Sequence, residues 1–326
     1  MNADTATPSD TAPSEGTPPD TAPSTIAPST IAPAAVGVGS GDIVVAPHRR
    51  VIAIQGSAAR DVLQDVVTNN VQRLGPKQAV YAALLTPQGK YLFDFFLLDP
   101  PSAPGVGALI DVAADRAEAL SKRLSMYCIR RDAKVTGDAG LGVALALASA
   151  PPPAVEGLLA VADPRHAGLG YRLYAPDIGA ALAAAGWAAS DPAAAAAAYE
   201  ARRIALGVPE TGAELVVDDS YILEAGFDRL NGVDFRKGCY VGQEVTARMR
   251  HRTELRKRLV RVAVEGEAPP GSAVRTAEGK PAGTLFSAAG GLGLAHLRLE
   301  RATGPLQAEG ATLRMLPDDP EDAEPG

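Results

Sequence analysis

Eight consecutive residues, Lys237-Gly238-Cys239-Tyr240-Val241-Gly242-Gln243-Glu244, gather more chemistry than any other stretch of the chain. A thiol stands between two glycines, which permit a close backbone approach or a positive φ. Arg236 and Lys237 precede it, and nearby cations stabilise a thiolate, the reactive form of cysteine. Gln243 and Glu244 add hydrogen-bonding groups. The plainer alternative is a glycine turn around a buried, inert cysteine, and spacing alone does not separate the two. Downstream, Thr246, Arg248, Arg250 and Arg252 alternate with Val245, Ala247, Met249 and His251, a strand period that sets three arginines on one face. With Arg256, Lys257, Arg258 and Arg261 they form a stripe suited to phosphates, RNA or the carboxylates of a polyglutamyl tail. The same stripe could be a solvated edge strand. Asp94 lies among Phe93, Phe95 and Phe96. Burying an unpaired carboxylate there is expensive, so Asp94 either holds a ligand nitrogen in a cleft or faces solvent, and spacing slightly favours solvent.

Other templates are absent. There is no GxSxG elbow, no GxxxxGK[ST] loop and no HExxH, and Gly37-Val38-Gly39 has neither a strand before it nor a helix after it. The four histidines, at 48, 166, 251 and 296, show no ligand spacing, and Cys128 and Cys239 form no CxxC pair. No permanent metal or iron–sulfur site within one chain is expected.

The elements that must position these groups can be read from periodicity and punctuation. Val51–Ile54 reads as a strand. Ser57 is an N-cap candidate for a helix with Ala59, Val62, Leu63, Val66 and Val67 at helical spacing. Val80–Leu85 and Tyr91–Leu98 form a hairpin through Thr86-Pro87-Gln88-Gly89. A strand over Val106–Val112, a helix over Asp115–Met126, and strands over Leu141–Ala148, Leu158–Val161 and Tyr171–Tyr174 follow. Asp191, Pro192 and Gly207 punctuate a further helix. Short strands at Leu259–Val264, Ala273–Thr276, Gly283–Ser287, Gly293–Leu297 and Ala311–Met315, divided by Gly and Pro, predict a small barrel.

Composition bounds the rest. With 326 residues, 46% hydrophobic but 5% aromatic, the chain must build its core from Ala, Leu and Val. The net charge is −7, yet 1–40 and 318–326 carry nine acidic residues and no Lys or Arg, leaving the middle at +2. An anionic ligand is compatible with that balance. Residues 1–41 (Pro, Thr, Ser and Ala) and 317–326 (acidic) are expected to lack structure. The ordered part divides into an α+β region at 42–253 and a barrel at 254–316. Two distant cysteines suggest a reducing compartment. The first basic residues, Arg49 and Arg50, come too late for a signal or transit peptide, and no 18-residue apolar run exists; the expectation is a cytoplasmic protein with no membrane span.

Lys237–Glu244 resembles the K-G-C-Y-x-G-Q-E signature of the YgfZ family, relatives of the glycine-cleavage T-protein (aminomethyltransferase). Gln55-Gly56 through Val67-Thr68-Asn69, Ala82–Gly89 with Asp94, Arg203 to Pro209, and Leu223-Glu224-Ala225 are similar to other family segments in the same order. The resemblance covers roughly 43–315. It implies a T-protein-like folate-binding α+β fold around a central channel, plus a C-terminal β-barrel. It implies tetrahydrofolate, possibly polyglutamylated, as ligand, with Asp94, Arg203, Glu224 and Arg248 in the folate set and Cys239 as the functional thiol. The implied role is accessory: assembling or repairing iron–sulfur clusters in client enzymes, some of which modify tRNA, together with those clients or other assembly proteins. Conventional enzymatic activity is disfavoured but left open. T-proteins carry a second acidic residue where this chain has Phe93 beside Asp94, which counts against the alternative, a folate-dependent aminomethyltransferase or demethylase. Direct RNA binding lacks stacking aromatics, Tyr240 being the nearest. A monomer is expected.

Overall fold

The computed structural model describes residues 43–100, 105–187, 190–251 and 255–318, together with Met1. Apart from Met1, these lie in one unit spanning 37–326. The expected structureless segment 1–41 otherwise falls outside the described residues, as does 317–326 beyond Asp318.

The described chain opens with β1 (Ile43–Val45), β2 (Arg49–Gln55) and α1 (Ala59–Val66). Ala59, Val62, Leu63 and Val66 of α1 are buried, as their spacing predicts. Ser57 does not cap α1: Ala58 occupies that position, and the Ser57 hydroxyl donates instead to Asp132 at 2.6 Å. Then come β3 (Ala79–Leu85) and β4 (Tyr91–Leu98), whose turn is closed by Gly89 N–H donating to the Thr86 carbonyl at 2.9 Å. β5 (Val106–Ala113), α2 (Ala117–Cys128) and β6 (Lys134–Asp138) follow. The first sheet is antiparallel, in the order β3-β4-β5-β2-β6. β7 (Gly142–Ala146), β8 (Leu159–Ala162) and β9 (Tyr171–Ala175) join β1 in a second sheet, order β1-β7-β9-β8.

Two helices come next, α3 (Ile178–Ala184) and α4 (Pro192–Ala205). The Asp191 carboxylate accepts from Ala194 N–H and Pro192 opens the first turn of α4, as the sequence indicates. After α5 (Gln243–Arg250), six strands close a barrel: β10 (Lys257–Glu267), β11 (Ala273–Thr276), β12 (Pro281–Ala289), β13 (Leu292–Arg298), β14 (Leu306–Ala308) and β15 (Gly310–Met315). Pro317 and Asp318 lie against it, through Arg261 Nη2 to the Pro317 carbonyl at 2.9 Å and Arg258 to Asp318 at 3.1 Å. The α+β core with a small C-terminal barrel is the architecture expected. The sequence reading missed β1, β6, α3 and β14, which are short; β6 is largely exposed and α3 is mostly alanine.

The hairpin β3–β4 divides the core. Ala82, Leu84, Phe93, Phe95 and Leu97 pack with α1 and α2, whereas Tyr81, Ala83, Leu85 and Phe96 pack with residues 208–240 on the other face. This is strand alternation used on both sides.

A buried ionic layer joins the two sheets. Asp111 of β5 accepts Arg49 Nε at 2.8 Å, Arg172 Nη2 at 2.6 Å and the Tyr174 hydroxyl at 2.8 Å. Asp163 pairs with Arg165 at 2.9 Å and Arg172 at 3.3 Å, and Arg165 reaches Glu210 at 3.2 Å. Three guanidiniums thus face three carboxylates. All three guanidiniums also lie near the Phe96 ring, Arg172 closest at 3.8 Å. Burial alone would raise the Asp111 carboxyl, but Arg172 and Arg49 outweigh it and lower its pKa.

Removing one partner strands the others, and a broken buried pair costs about 3–5 kcal/mol. Asp111→Ala should therefore lower the unfolding free energy by about that much in urea denaturation; a loss below about 1 kcal/mol would show that the layer does not hold the sheets together. Glu210 gives a pH signature. Burial opposes its ionisation, but Arg165 and Arg49 prevail and hold its pKa down to about 2 from 4.5. A carboxyl depressed by folding contributes stability that is present above its unfolded pKa and lost as pH falls through the folded one. The destabilisation of Glu210→Gln should thus be full near neutral pH and shrink between about 4.5 and 2. A gap independent of pH would refute the pairing.

Candidate functional site

The segment leading into the thiol loop is locked to the chain just after α1. Thr68 Oγ1 donates to the Gly232 carbonyl at 2.7 Å, Asn69 Nδ2 to that of Asn231 at 2.6 Å, and Asp234 N–H to that of Thr68 at 3.1 Å. Lys237 completes the clamp. Its Nζ donates to the carbonyls of Gln64 at 2.5 Å and Val67 at 2.6 Å, at the C-terminal end of α1. A helix leaves its last carbonyls unpaired and its negative dipole end there, and an ammonium answers both. Burial brings the Lys237 pKa down to about 8, with Asp65 and Asp234 opposing. Of the two cations expected to favour the thiolate, Lys237 has its ammonium committed to the end of α1, and Arg236 is exposed.

On the far side of the cysteine, Gly242 has φ +84° and opens α5. A Cβ there would lie 2.6 Å from the Thr86 carbonyl oxygen, and one at Gly89 would lie 2.8 Å from Val245 Cβ. The hairpin turn and the signature loop, far apart in sequence, thus interlock through one glycine each. Gly238 differs: it is exposed, with nothing near a would-be Cβ, so close packing explains only one of the signature's two glycines. Between the anchors Cys239 is exposed, while Cys128 is buried. Tyr240 is buried, Gln243 is half-buried, and Glu244 is exposed in the first turn of α5, where a carboxylate complements the helix dipole. Among the described residues no group of three His, Cys, Asp or Glu could hold a metal ion.

Where a strand is expected over 245–252, the described residues form a helix through Arg250. Alternating charge imitated a period of two, but Val245 meets the hairpin, Thr246 is buried and Met249 packs on the core beneath. Arg248 and Arg250 are exposed and point about 200° apart around the axis. Arg250 stacks on Phe235 at 3.7 Å, and Arg252 falls outside the described residues. The single-faced arginine stripe does not form.

Asp94 is buried, contrary to the exposed-strand preference. It accepts hydroxyls from Tyr91 at 2.7 Å, Tyr81 at 3.0 Å and, at short range, Thr211. Arg203 is also buried. Its Nε and Nη2 donate to Glu200, its Nη1 to Glu214, and its Nη2 also to Ser287 of β12 at 3.0 Å. Glu224 meets His296 of β13 at 3.1 Å. Arg203 and Glu224 therefore tie the core to the barrel. Sequence reasoning missed an open cleft of about 300 Å³ lined by Asn69, Arg73, Lys77, Tyr81, Pro164 and Asn231 among others. Arg73 ends a short 3-10 turn over Val71–Arg73 and Lys77 sits in the turn after it, neither within a motif, so only their position near Asn69 could have drawn notice.

The fold and the interlocked loops define a T-protein-like α+β protein with an appended six-stranded barrel. A solved structure, the glycine cleavage system aminomethyltransferase T from Bartonella henselae, superposes with a TM-score of 0.65 at 15% identity, covering 86% of this chain and 85% of that one. Residues 256–320 match the family described as CAF17, C-terminal beta-barrel domain. The chain is 35% identical over 295 residues to the iron-sulfur cluster assembly factor IBA57, mitochondrial, of Mus musculus, spanning 82% of this chain and 80% of that protein. The Homo sapiens protein of the same name is 32% identical over 304 residues, spanning 84% and 83%. A Pyricularia oryzae homologue is 34% identical over 281 residues, spanning 78% and 71%. The chain belongs to the IBA57 family of iron–sulfur cluster assembly factors. These relatives carry that name rather than YgfZ. They also correct the cytoplasmic expectation, since all three are named as mitochondrial.

The two signature glycines should behave differently. Gly242→Ala adds a clash to a left-handed backbone and should cost at least about 1–2 kcal/mol. Gly238→Ala should change the unfolding midpoint little. Equal effects in thermal or urea melts would refute the interlock.

Proposed function

We propose that the protein is an assembly factor that binds tetrahydrofolate and handles an iron–sulfur cluster, as cargo, through Cys239. The observation that carries this reading is an exposed thiol on a mount fixed at both ends, by Lys237 and by Gly242. One thiol offers one ligand, so the other cluster ligands would come from a client or assembly partner. The names of the IBA57 relatives support the assembly role and a mitochondrial place of work.

Tetrahydrofolate is supported by the T-protein-like fold and by what lines the cleft. Arg73 and Lys77 at its edge offer cations for folate's carboxylates. When bound, folate supplies a carrier for one-carbon units at its ring nitrogens. Asp94 would act by holding Tyr81, Tyr91 and Thr211 in place rather than by touching a ligand, because three hydroxyls already occupy its oxygens and Tyr81 is itself fully buried. That enclosure disfavours aminomethyl transfer, which needs a carboxylate poised at the ring nitrogens. Arg203 and Glu224 would act by fixing the barrel against the core, and Arg248 faces solvent.

Cys239 is the residue to test. It should alkylate faster than Cys128, whose thiol pKa is raised by burial. Cys239→Ser should fold, and tetrahydrofolate at a hundredfold excess over its Kd should stabilise it by about 2.7 kcal/mol. In a deletion strain it should nevertheless fail to restore iron–sulfur enzyme activity. Full rescue would reject the thiol role and leave the loop as a structural element.

A further inference from the structure

We propose that the approach to Cys239 is a cationic docking surface, built by Arg236 and Arg250, for the acidic face of the protein that exchanges the cluster with this thiol. The exchange rests on the cluster reading above; the surface does not. Arg236 is exposed three residues before Cys239, which keeps their Cα atoms within about 11 Å. Arg250, the last residue of α5, is also exposed and returns to the same segment, its guanidinium 3.7 Å from the centre of the Phe235 ring. Stacking holds a guanidinium without using its N–H donors, which stay available to an incoming carboxylate.

The local carboxylates do not cancel this charge. Asp234 is buried and engaged through both oxygens: Oδ1 accepts the Arg236 backbone N–H at 2.8 Å, and Oδ2 pairs with Arg73 Nη2 at 3.3 Å. Asp65, which acts on Lys237, is held by Arg131 at 3.0 Å. Glu244 is the exposed carboxylate of the stretch 234–250, and it stands at the positive end of α5. Over that stretch the cations Arg236, Lys237, Arg248 and Arg250 outnumber the acids Asp234 and Glu244. Among the described residues neither Arg236 nor Arg250 has a carboxylate partner. Two unpaired guanidiniums on the approach to an exposed thiol fit an anionic partner. A cluster held by thiolates alone is a net anion, and carboxylates around it add to that charge. Guanidiniums meet carboxylates through paired N–H donors. Single-stranded nucleic acid fits less well, because Phe235 already carries Arg250 on its ring.

The test uses the full chain and two synthetic peptides, each with one cysteine activated as its 2-pyridyl disulfide, flanked by glutamates in one and by glutamines in the other. The Cys239 thiolate attacks the peptide sulfur, a mixed disulfide forms and pyridine-2-thione leaves, which its absorbance reports. The rate counted is the part lost in Cys239→Ser, divided by the rate of N-acetylcysteine amide to correct for the peptides' own reactivity. The glutamate peptide should react about tenfold faster at low salt, and the gap should shrink at high salt. Arg236→Gln and Arg250→Gln should each cut that preference about threefold, Arg236→Lys should keep it and Arg236→Glu should reverse it. The Arg236 variants should melt with the parent, since that side chain is exposed. Lys280→Gln, which removes an exposed cation of the barrel, should leave the preference unchanged. Equal rates for the two peptides, or a preference untouched by both glutamine variants, overturns the proposal. Equal rates together with protection of Cys239 by an RNA oligonucleotide would give the surface to nucleic acid instead. A preference that persists while Cys239→Ser restores iron–sulfur enzyme activity would sink the cluster reading alone and leave the docking surface standing.

Discussion

The packing of the two sheets depends on one charge-balanced layer. Arg49, Arg165 and Arg172 meet Asp111, Asp163 and Glu210 at the junction of β2, β5 and β9, beside the Phe96 ring. A lone buried charge would be untenable there, and each group is tolerable only because its partners arrive together. Such a layer resists sliding, since a shift of one residue along either sheet would turn Asp111 or Arg172 to the opposite face and leave its partners unpaired. Tyr174 and the loop carrying Glu210 are drawn into it, and that loop also places Thr211 on Asp94.

From that frame, constraint passes outward to the thiol loop by short, directional contacts. Lys237 caps α1, Thr68 and Asn69 hold the approach, and Gly242 seats the loop against the hairpin turn. Cys239 is left exposed between these anchors. The accessible thiol is thus carried on backbone anchored on both sides. The barrel is attached by a separate set of contacts. Arg203 reaches Ser287, Glu224 reaches His296, and Arg261 Nη1 donates to the Ala205 carbonyl at 3.0 Å.

Much was determined by the sequence alone. Strand alternation, the Thr86–Gly89 turn and the Asp191-Pro192 start are local signals, and they produce the hairpin, α4 and the barrel strands where read. The signature loop and its cysteine were also legible, because residue types and spacing carry them. What only the tertiary structure decided is where each charge goes. Lys237 adjoins the cysteine in sequence yet serves α1, Asp94 is enclosed by hydroxyls rather than solvated, and Arg203 ties the barrel. The alternating segment became a helix as far as Arg250 because its apolar residues had a hairpin and a core to pack against. Lys77 and Arg73 came to border a cleft only when Pro164 and Asn231 arrived to wall it. The physical reason is common to all of these. Local pattern governs backbone preference, but the cost of a charge or the fit of a glycine depends on atoms contributed from distant parts of the chain.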